Sequence, residues 1–425
     1  MAKISRLWKK LGLTQPLISI WSEADPEFAM NDHDITSITI NRGSSNSVIG
    51  LQDHTMEVNT IASRGARTDK PIHCDLTTYG ANRLADLTGA TASLIKPRYF
   101  GRIGRQTIED LGGIWDPSKW HTNVYCSKWQ SQLENSDRVG NQISGQTVMY
   151  LFDHFMNPEY SNLPYLPKAE FPSPDAHYGA MINDYDLGTA KITYSEFARK
   201  YFDDPGFYVQ NTRKGADRVL TMQYRWSVAM SRLENQIPIT RSQAISPATW
   251  EQPNEDRPRN HRVYWTDDSG PRTSVTGPDP SDVRIPLVEH DIKHIRFYTD
   301  HQPLHRNYAA YGADRSDSGY RLPSVTIDLL RLIASDEPSH RVQARQLLNL
   351  EMGDPVFLGG DWYVNTQGVS FASGIVEKIT PDRWDLELSL TPSYPTVGEW
   401  SPDIAPQTWE SARIPWNSAN WPWDG

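Results

Sequence analysis

The chain has 425 residues, with 42 Lys+Arg against 52 Asp+Glu for a formal net charge of −10, 38% hydrophobic and 11% aromatic residues, and only two cysteines. That length exceeds what one core organises and predicts about two to four folded domains. The acidic balance argues against a protein that grips nucleic acid through clustered cations, the cysteine count excludes a disulfide scaffold, and no apolar run approaches the ~20 residues that span a bilayer. The first residues, MAKISRLWKKLGLTQPLISIW, are basic but lack an uninterrupted apolar stretch and a small-residue cleavage site, so synthesis and maturation in a cytoplasm are expected.

Beyond an N-terminal arm (residues 1–30), residues 31–140 read as short strands punctuated by glycine: DITSITINRG, KPIHCDLTTYG, ATASLIKPRYFGRIGRQTIED and HTNVYCSKWQSQLE. This spacing predicts a first β-barrel or sandwich domain. Residues 141–235 change period and predict an α+β domain. Val148, Leu151, Phe152 and Phe155 form a helical stripe ended by Pro158, Thr193 and Glu196 make a capping-box pair for a second helix, and two strands turn at Lys214-Gly215. Residues 236–280 are rich in Pro, Ser, Asp and Gly and predict a loop-rich connection.

A second β-rich domain is expected over residues 281–395, from IKHIRFY, SVTIDLLRL, DPVFLGG, DWYVNT and a hairpin. Between these strands, SHRVQARQLLNLEMGD predicts a helix with Val342, Gln346 or Leu347, and Leu350 on one face and Gly353 as its cap. In the hairpin, Ile375, Glu377 and Ile379 alternate before a Pro381-Asp382 turn. Trp384, Leu386, Leu388 and Leu390 then share one face against Asp385, Glu387, Ser389 and Thr391 on the other. Residues 396–425 form an extended Trp/Pro-rich tail; residues 400–425 hold five of the 15 tryptophans, where an even spread puts about one.

Chemistry is sparsely signalled. His290, His294, His301 and His305 fall within 16 residues but match neither HExxH nor a Cys/His spacing, and read as solvated or core histidines. Asp314, Ser316 and Ser318 mimic the start of a calcium loop whose twelfth position, Val325, lacks the required carboxylate. Walker, GxGxxG and GxSxG motifs are absent, and FGRIG at 100–104 is too short to count. The pairs Asp184/Asp186 and Asp203/Asp204 read as solvated turns, and Cys74 and Cys126 as buried strand residues. No catalytic residue, cofactor or metal site is expected.

The order ARQLLNLEMGDPVFL (344–358), a strand pair, GVSFASGIVEKITPDRWDLELSLTPS and a tail with TWESARIPWNSANWPW resembles the C-terminal module of minor tail proteins of long, flexible-tailed bacteriophages. Ile379, Thr380, Pro381, Trp384, Leu388, Leu390 and Pro392 fill that pattern. The N-terminal strands and KGADRVLTMQYRW are similar to the same group in arrangement. The resemblance implies a mainly β fold with two tube-like β-barrel or sandwich domains flanking a smaller α+β domain. It further implies a structural hub ring at the tail tip of the virion, made in the host cytoplasm. Three copies would give a pseudo-six-fold ring that continues the tail tube, with DNA passing through without specific binding. Expected partners are further copies of itself, a distal tail protein, a tape measure protein and other minor tail proteins. A hexameric distal tail protein and a receptor- or carbohydrate-binding tail protein are the alternatives. Trp409, Trp416, Trp421 and Trp423 are the expected assembly anchors, since four exposed indoles would be a solubility hazard.

Overall fold

The computed structural model describes residues 11–12, 15–31, 35–43, 54–60, 70–110, 120–127, 137–139, 169–170, 181–182, 191–193, 207–214, 217–224, 236–245, 249, 260–267, 270–276, 281, 283–284, 287–296, 322–359, 362, 368–380 and 383–392. The protein is mainly β. Strands β1 (Ile18–Ser22), β2 (Asp25–Asn31), β3 (Ile35–Gly43), β4 (His54–Thr60) and β5 (Pro71–Leu76) precede helices α1 (Thr78–Thr88) and α2 (Ala92–Ile95). There follow β6 (Pro97–Asp110), β7 (Trp120–Ser127), β8 (Asp137–Val139), β9 (Ala169–Glu170), β10 (Met181–Ile182), β11 (Lys191–Thr193), β12 (Phe207–Lys214) and β13 (Asp217–Tyr224). Next come β14 (Ile237–Ile239), β15 (Asn260–Asp267), β16 (Gly270–Thr276), β17 (Leu287–Arg296) and β18 (Ser324–Asp328). The chain continues with α3 (Leu329–Ile333), α4 (Pro338–Leu348), β19 (Pro355–Leu358), β20 (Gly368–Ile379) and β21 (Trp384–Pro392).

The predicted hairpin is present as β20–β21, paired from Ile379↔Trp384 to Ser370↔Pro392. Trp384, Leu386, Leu388 and Leu390 are all buried, because period-2 alternation turns every second side chain to one face. The strand pair around Lys214 is likewise present as β12–β13.

Strands from both ends of the chain share one sheet, in the order β14-β19-β20-β3-β4-β7-β6-β5-β1-β2, with β21 joining β20 to β18. Its hinge is β20. Phe371 at its start pairs with β19, and after a bulge at Ala372/Gly374 the rest pairs with β3. The segments expected as separate β domains are therefore sewn edge to edge, from Gly374↔Gly43 to Ile379↔Ile38. Gly43 has φ +85°, and a Cβ there would meet Met352 Sδ and lie 2.5 Å from Ser373 O, so only glycine lets the strands converge here.

Residues 237–245 close the C-terminal end. β14 runs parallel to β19, and past a single 3-10 turn (Arg241–Gln243) Ala244 bridges to Ile327 while Ile245 N donates to Thr326 O at 2.9 Å. The stretch thus spans from β19 to β18, and β18, β21, β20, β19 and β14 form a closed circuit. Trp362 Nε1 donates to Ile239 O (2.7 Å) and Gln343 Nε2 to Pro238 O (2.6 Å), satisfying carbonyls on this short strand.

Several expectations are revised. The connection expected as loop over 236–280 carries β14 and the antiparallel pair β15–β16, which meet at Asp267↔Gly270 with Gly270 at φ +111°. β17 pairs with β15 and β10 in a separate four-stranded sheet, so IKHIRFY does not continue the C-terminal circuit. SVTIDLLRL changes from strand to helix at Asp328, whose side chain accepts from Arg331 N (3.1 Å) as an N-cap. Within the stretch expected as strands, Thr77 caps α1 and Gly89, in the left-handed region at φ 74°, ends it. In α4 the buried face is Gln343, Ala344, Leu347 and Leu348, and Val342 is exposed. That helix ends at Asn349, four residues before Gly353, whose N–H donates instead to Ala372 O at 2.8 Å. The predicted stripe Val148–Phe155 lies outside the described residues, as does the Thr193 helix apart from Thr193 itself, which ends β11.

One continuous core runs from Leu11 through the β1–β7 region, α1 and α2 to α3, α4 and the β18–β21 circuit.

Candidate functional site

The chemistry inside the sheet is a buried charge cluster under the seam between β3 and β20. Glu377 lies on the core face between Ile375 and Ile379 and has no exposed side-chain surface. Its Oε1 is 2.7 Å from Arg42 Nη2 and 2.7 Å from Arg98 Nη2, while Oε2 accepts from Arg98 Nε (3.2 Å) and Trp384 Nε1 (3.3 Å). Arg42 Nη1 also reaches Glu351 Oε2 (3.3 Å), Arg98 Nη1 donates to Leu348 O (2.9 Å), and the Arg98 guanidinium lies 5.5 Å from the Trp384 ring centroid. Both arginines are almost fully buried.

Local geometry explains how the charges arrive there. Arg42 follows Ile38 and Ile40 on the inward parity of β3, opposite Ile375. Arg98 is carried inward by a bulge: β5 and β6 shift register between Cys74 and Asp75, and the consecutive residues Arg98 and Tyr99 are both buried. In sheet order β6 lies four strands from β20, about 19 Å at ~4.8 Å per strand if the sheet were flat. A 2.7 Å contact across that gap requires the sheet to curl back on itself. Two carboxylates and two guanidiniums are held by one another, with the buried Arg42 Nε left without a hydrogen-bond partner. The cluster's chemistry is cohesion between distant parts of the chain.

The opposite face of the sheet is polar over seven strands. A single transverse row runs Asp328 (β18), Asp385 (β21), Lys378 (β20), Thr39 (β3), Glu57 (β4), Tyr125 (β7), Arg105 (β6), each opposite the next. Beside it, Ser37, Asn59, Asn123 and Thr107 form an uncharged row. Asn123 Nδ2 donates to Glu57 Oε1 and to Asn59 Oδ1 (3.0 Å), and Asn59 Nδ2 to Ser37 Oγ (3.0 Å). Lys378 Nζ pairs with Glu387 (2.9 Å) and Arg383 with Asp385 (3.0 Å), so these two cations are engaged within the face. Burial, reinforced by Asp328, raises the Asp385 carboxyl above its usual range against the pull of Arg383.

On the outer side of β1, β5 and β6, His73 stacks on Trp21 with ring centroids 4.1 Å apart, and Phe100 tilts against it at 4.7 Å. Burial depresses the imidazole, opposed in part by Asp75 and Glu23. Cys74 and Cys126 are free thiols buried on β5 and β7, and desolvation pushes both well up.

Of the residues singled out from sequence, Trp409, Trp416, Trp421 and Trp423 lie outside the described residues, as do His301, His305, Asp314, Ser316, Ser318 and the pairs Asp184/Asp186 and Asp203/Asp204. His290 and His294 lie on β17, and Val325 is a core residue of β18. Among the described residues no three His, Cys, Asp or Glu side chains converge as a metal site, and no helix is long and apolar enough to cross a membrane. The buried cluster went unanticipated. Its available signal was a Glu on the apolar parity of one strand and an Arg on the apolar parity of another, an arrangement costly to bury unless the two meet.

The sequence matches no family model and no curated protein. Solved structures do match. The tail protein of Neisseria meningitidis superposes with a TM-score of 0.57 at 11% identity, covering 91% of this chain and 98% of that one. The 43 kDa tail protein of prophage MuSo2 from Shewanella oneidensis gives 0.53 at 10% identity, over 88% of this chain and 97% of that one. The fold is that of phage tail proteins. At such identities the likeness is one of backbone fold.

Proposed function

We propose that this chain is a structural, non-catalytic component of a bacteriophage tail tip, in which three copies form a hub ring that continues the tail tube and connects it to host-facing tail proteins. The observation that carries the reading is the sewing of two curled β units into one sheet through β3 and β20, in a fold shared with tail proteins over nearly their full length. Two tube-like units per chain make three copies equivalent to six, so cyclic symmetry closes a ring. The seven-strand polar face suits the wall of a passage for DNA. Lys378 and Arg383 are engaged by carboxylates of the same face, and the chain's net −10 disfavours phosphate from lingering. Neighbours in this reading are the distal tail protein, the tape measure protein and other minor tail proteins, with Trp409, Trp416, Trp421 and Trp423 as anchors in grooves of the assembly.

The test is electron microscopy of tail particles carrying a label on this chain, with the copy number counted. Three copies in a ring at the tail tip support the reading. Six equivalent copies move the assignment to a distal tail protein, and glycan binding by the isolated chain moves it to a receptor-binding protein. Deleting residues 401–425 is expected to leave circular dichroism unchanged and to abolish incorporation into tails. Truncated protein that assembles normally removes the anchors from the proposal.

A further inference from the structure

Residues 237–245 close the C-terminal circuit, yet in chain order they lie between β13, of the three-stranded sheet, and β15, of the four-stranded one. Their backbone hold on the circuit is short. Three residue pairs join β14 to β19, from Ile237↔Val356 to Ile239↔Leu358. The bridge Ala244↔Ile327 and the bond from Ile245 N to Thr326 O attach the far end to β18. Of residues 236–245 only Ile237 and Ile239 are buried, at 4% and 0% exposure. Side chains supply the rest of the grip. Gln343 on α4 donates to Pro238 O (2.6 Å) and exchanges hydrogen bonds with Gln243 (2.7 and 2.9 Å). Trp362 donates to Ile239 O (2.7 Å), and the Arg241 guanidinium lies 5.7 Å from its ring centroid. The 3-10 turn holds its own shape: Thr240 N donates to Gln243 Oε1 (2.9 Å), Gln243 N to Thr240 O and Ala244 N to Arg241 O (both 3.2 Å).

We infer that residues 237–245 are a releasable clasp: the segment leaves β18 and β19 as one unit while the rest of the sheet stays folded, and the groove it vacates accepts the same sequence from a second copy. The other ladders of the circuit do not need it. β18 pairs with β21, β21 with β20, and β20 with both β19 and β3. A segment held by few backbone pairs and two buried side chains opens at lower free energy than the body it lies on. The bonds within its turn are local and survive release, so it departs and returns preformed. Once it is gone, no other strand among the described residues lies beside the outer edges of β18 and β19. Unpaired edges are where an extended segment adds to a sheet. The vacated groove is built for this sequence, with sockets for Ile237 and Ile239 and donors on Gln343 and Trp362 for the two carbonyls. Every copy carries that sequence, which makes a second copy the matching occupant. Because the chain passes from one inserted sheet to the other through the clasp, its release and their movement are linked.

The clasp does not depend on the ring proposed above, and the two fail separately. The first experiment is amide hydrogen exchange read by mass spectrometry on the full chain, as wild type, Gln343→Leu and Trp362→Phe. Residues 237–245 are expected to exchange about tenfold or more faster than β20 and β21 in the wild type. Each variant should raise that rate about tenfold again and leave β3, β20 and β21 unchanged. Exchange of 237–245 in step with β20 and β21 overturns the clasp, as does a variant that speeds all of them equally. Trp362→Phe keeps an apolar ring in place, so together with the wild type it decides the outcome even where Gln343→Leu fails to fold. The second experiment is fluorescence anisotropy with a labelled peptide of residues 236–245, QIPITRSQAI, added to wild type and to Ile237→Ala/Ile239→Ala. The variant, whose own clasp is weakened, should bind the peptide about tenfold or more tighter than the wild type. Equal binding by the two proteins, or binding by neither, overturns the groove as a site for a second copy's strand.

Discussion

Arg98 and Glu377 meet at 2.7 Å although 279 residues separate them in the chain and four strand positions separate them in the sheet. This contact, with Arg42 on the same carboxylate oxygen, ties the N-terminal strands to the C-terminal circuit at a point that water does not reach.

Removing the shared carboxylate should therefore be severe. Glu377→Gln keeps the shape and leaves two buried guanidiniums short of their counter-ion, an expected cost of about 3–5 kcal/mol in the unfolding free energy from urea titration. The triple replacement Arg42→Met/Arg98→Met/Glu377→Leu removes all three charges and should recover most of that loss, while Glu351, 12% exposed, can turn to water. A Glu377→Gln protein as stable as wild type would mean that the cluster holds nothing together.

At the junction where β20 passes from β19 to β3, Gly43→Ala should destabilise by more than conformational strain alone. Its left-handed backbone costs about 1–2 kcal/mol for an L residue, and the added methyl collides with the Ser373 carbonyl, which cannot swing away. Gly270→Ala is the comparison, since it has a positive φ of 111° with nothing within 4 Å of the new atom. The urea midpoint should fall further for Gly43→Ala; equal shifts would show that the close approach of the two strands is unimportant.

The pH dependence of stability should carry a signature of His73. Its folded-state pKa lies below 6.5, so as pH falls through 6.5 the unfolded chain takes up a proton that the folded one refuses, and stability declines until the folded group also titrates. Between pH 7.5 and 5.0, wild type should lose more melting temperature than His73→Gln. Parallel losses in the two proteins would exclude His73 as a source.

Cys74 and Cys126 are fully buried and desolvation holds both thiols in their neutral form. At pH 8, alkylation of the folded protein by a maleimide should be on the order of 100-fold slower than in denaturant, where two thiols per chain react. Fast labelling of either in the native state would mean that the β5–β7 region opens locally.

What the sequence determined by itself lies within reach of a few neighbouring residues. Period-2 alternation placed Trp384, Leu386, Leu388 and Leu390 on the inner face of β21, and the same alternation put Glu377 among Ile375 and Ile379, because successive side chains in a strand must point to opposite sides. The β12–β13 strand pair was legible from residues equally close in the chain. Helix α1 was missed although Thr77 and Gly89 mark its ends, since Gly80, Ala81 and Leu84 make a thin stripe that buries only because Gly80 lets the Leu17 backbone come close. Tertiary structure alone decided that β20 continues into β3, that residues 237–245 close the C-terminal circuit, and which arginines answer Glu377. Pairing between strands satisfies backbone groups that are alike at every position, so local pattern tells which face a residue takes but not which distant strand will lie beside it. The partner is chosen by the whole core at once. In this chain the choice falls where a bulge at Cys74/Asp75, a glycine at 43 and the curl of one sheet bring Arg42 and Arg98 to one carboxylate.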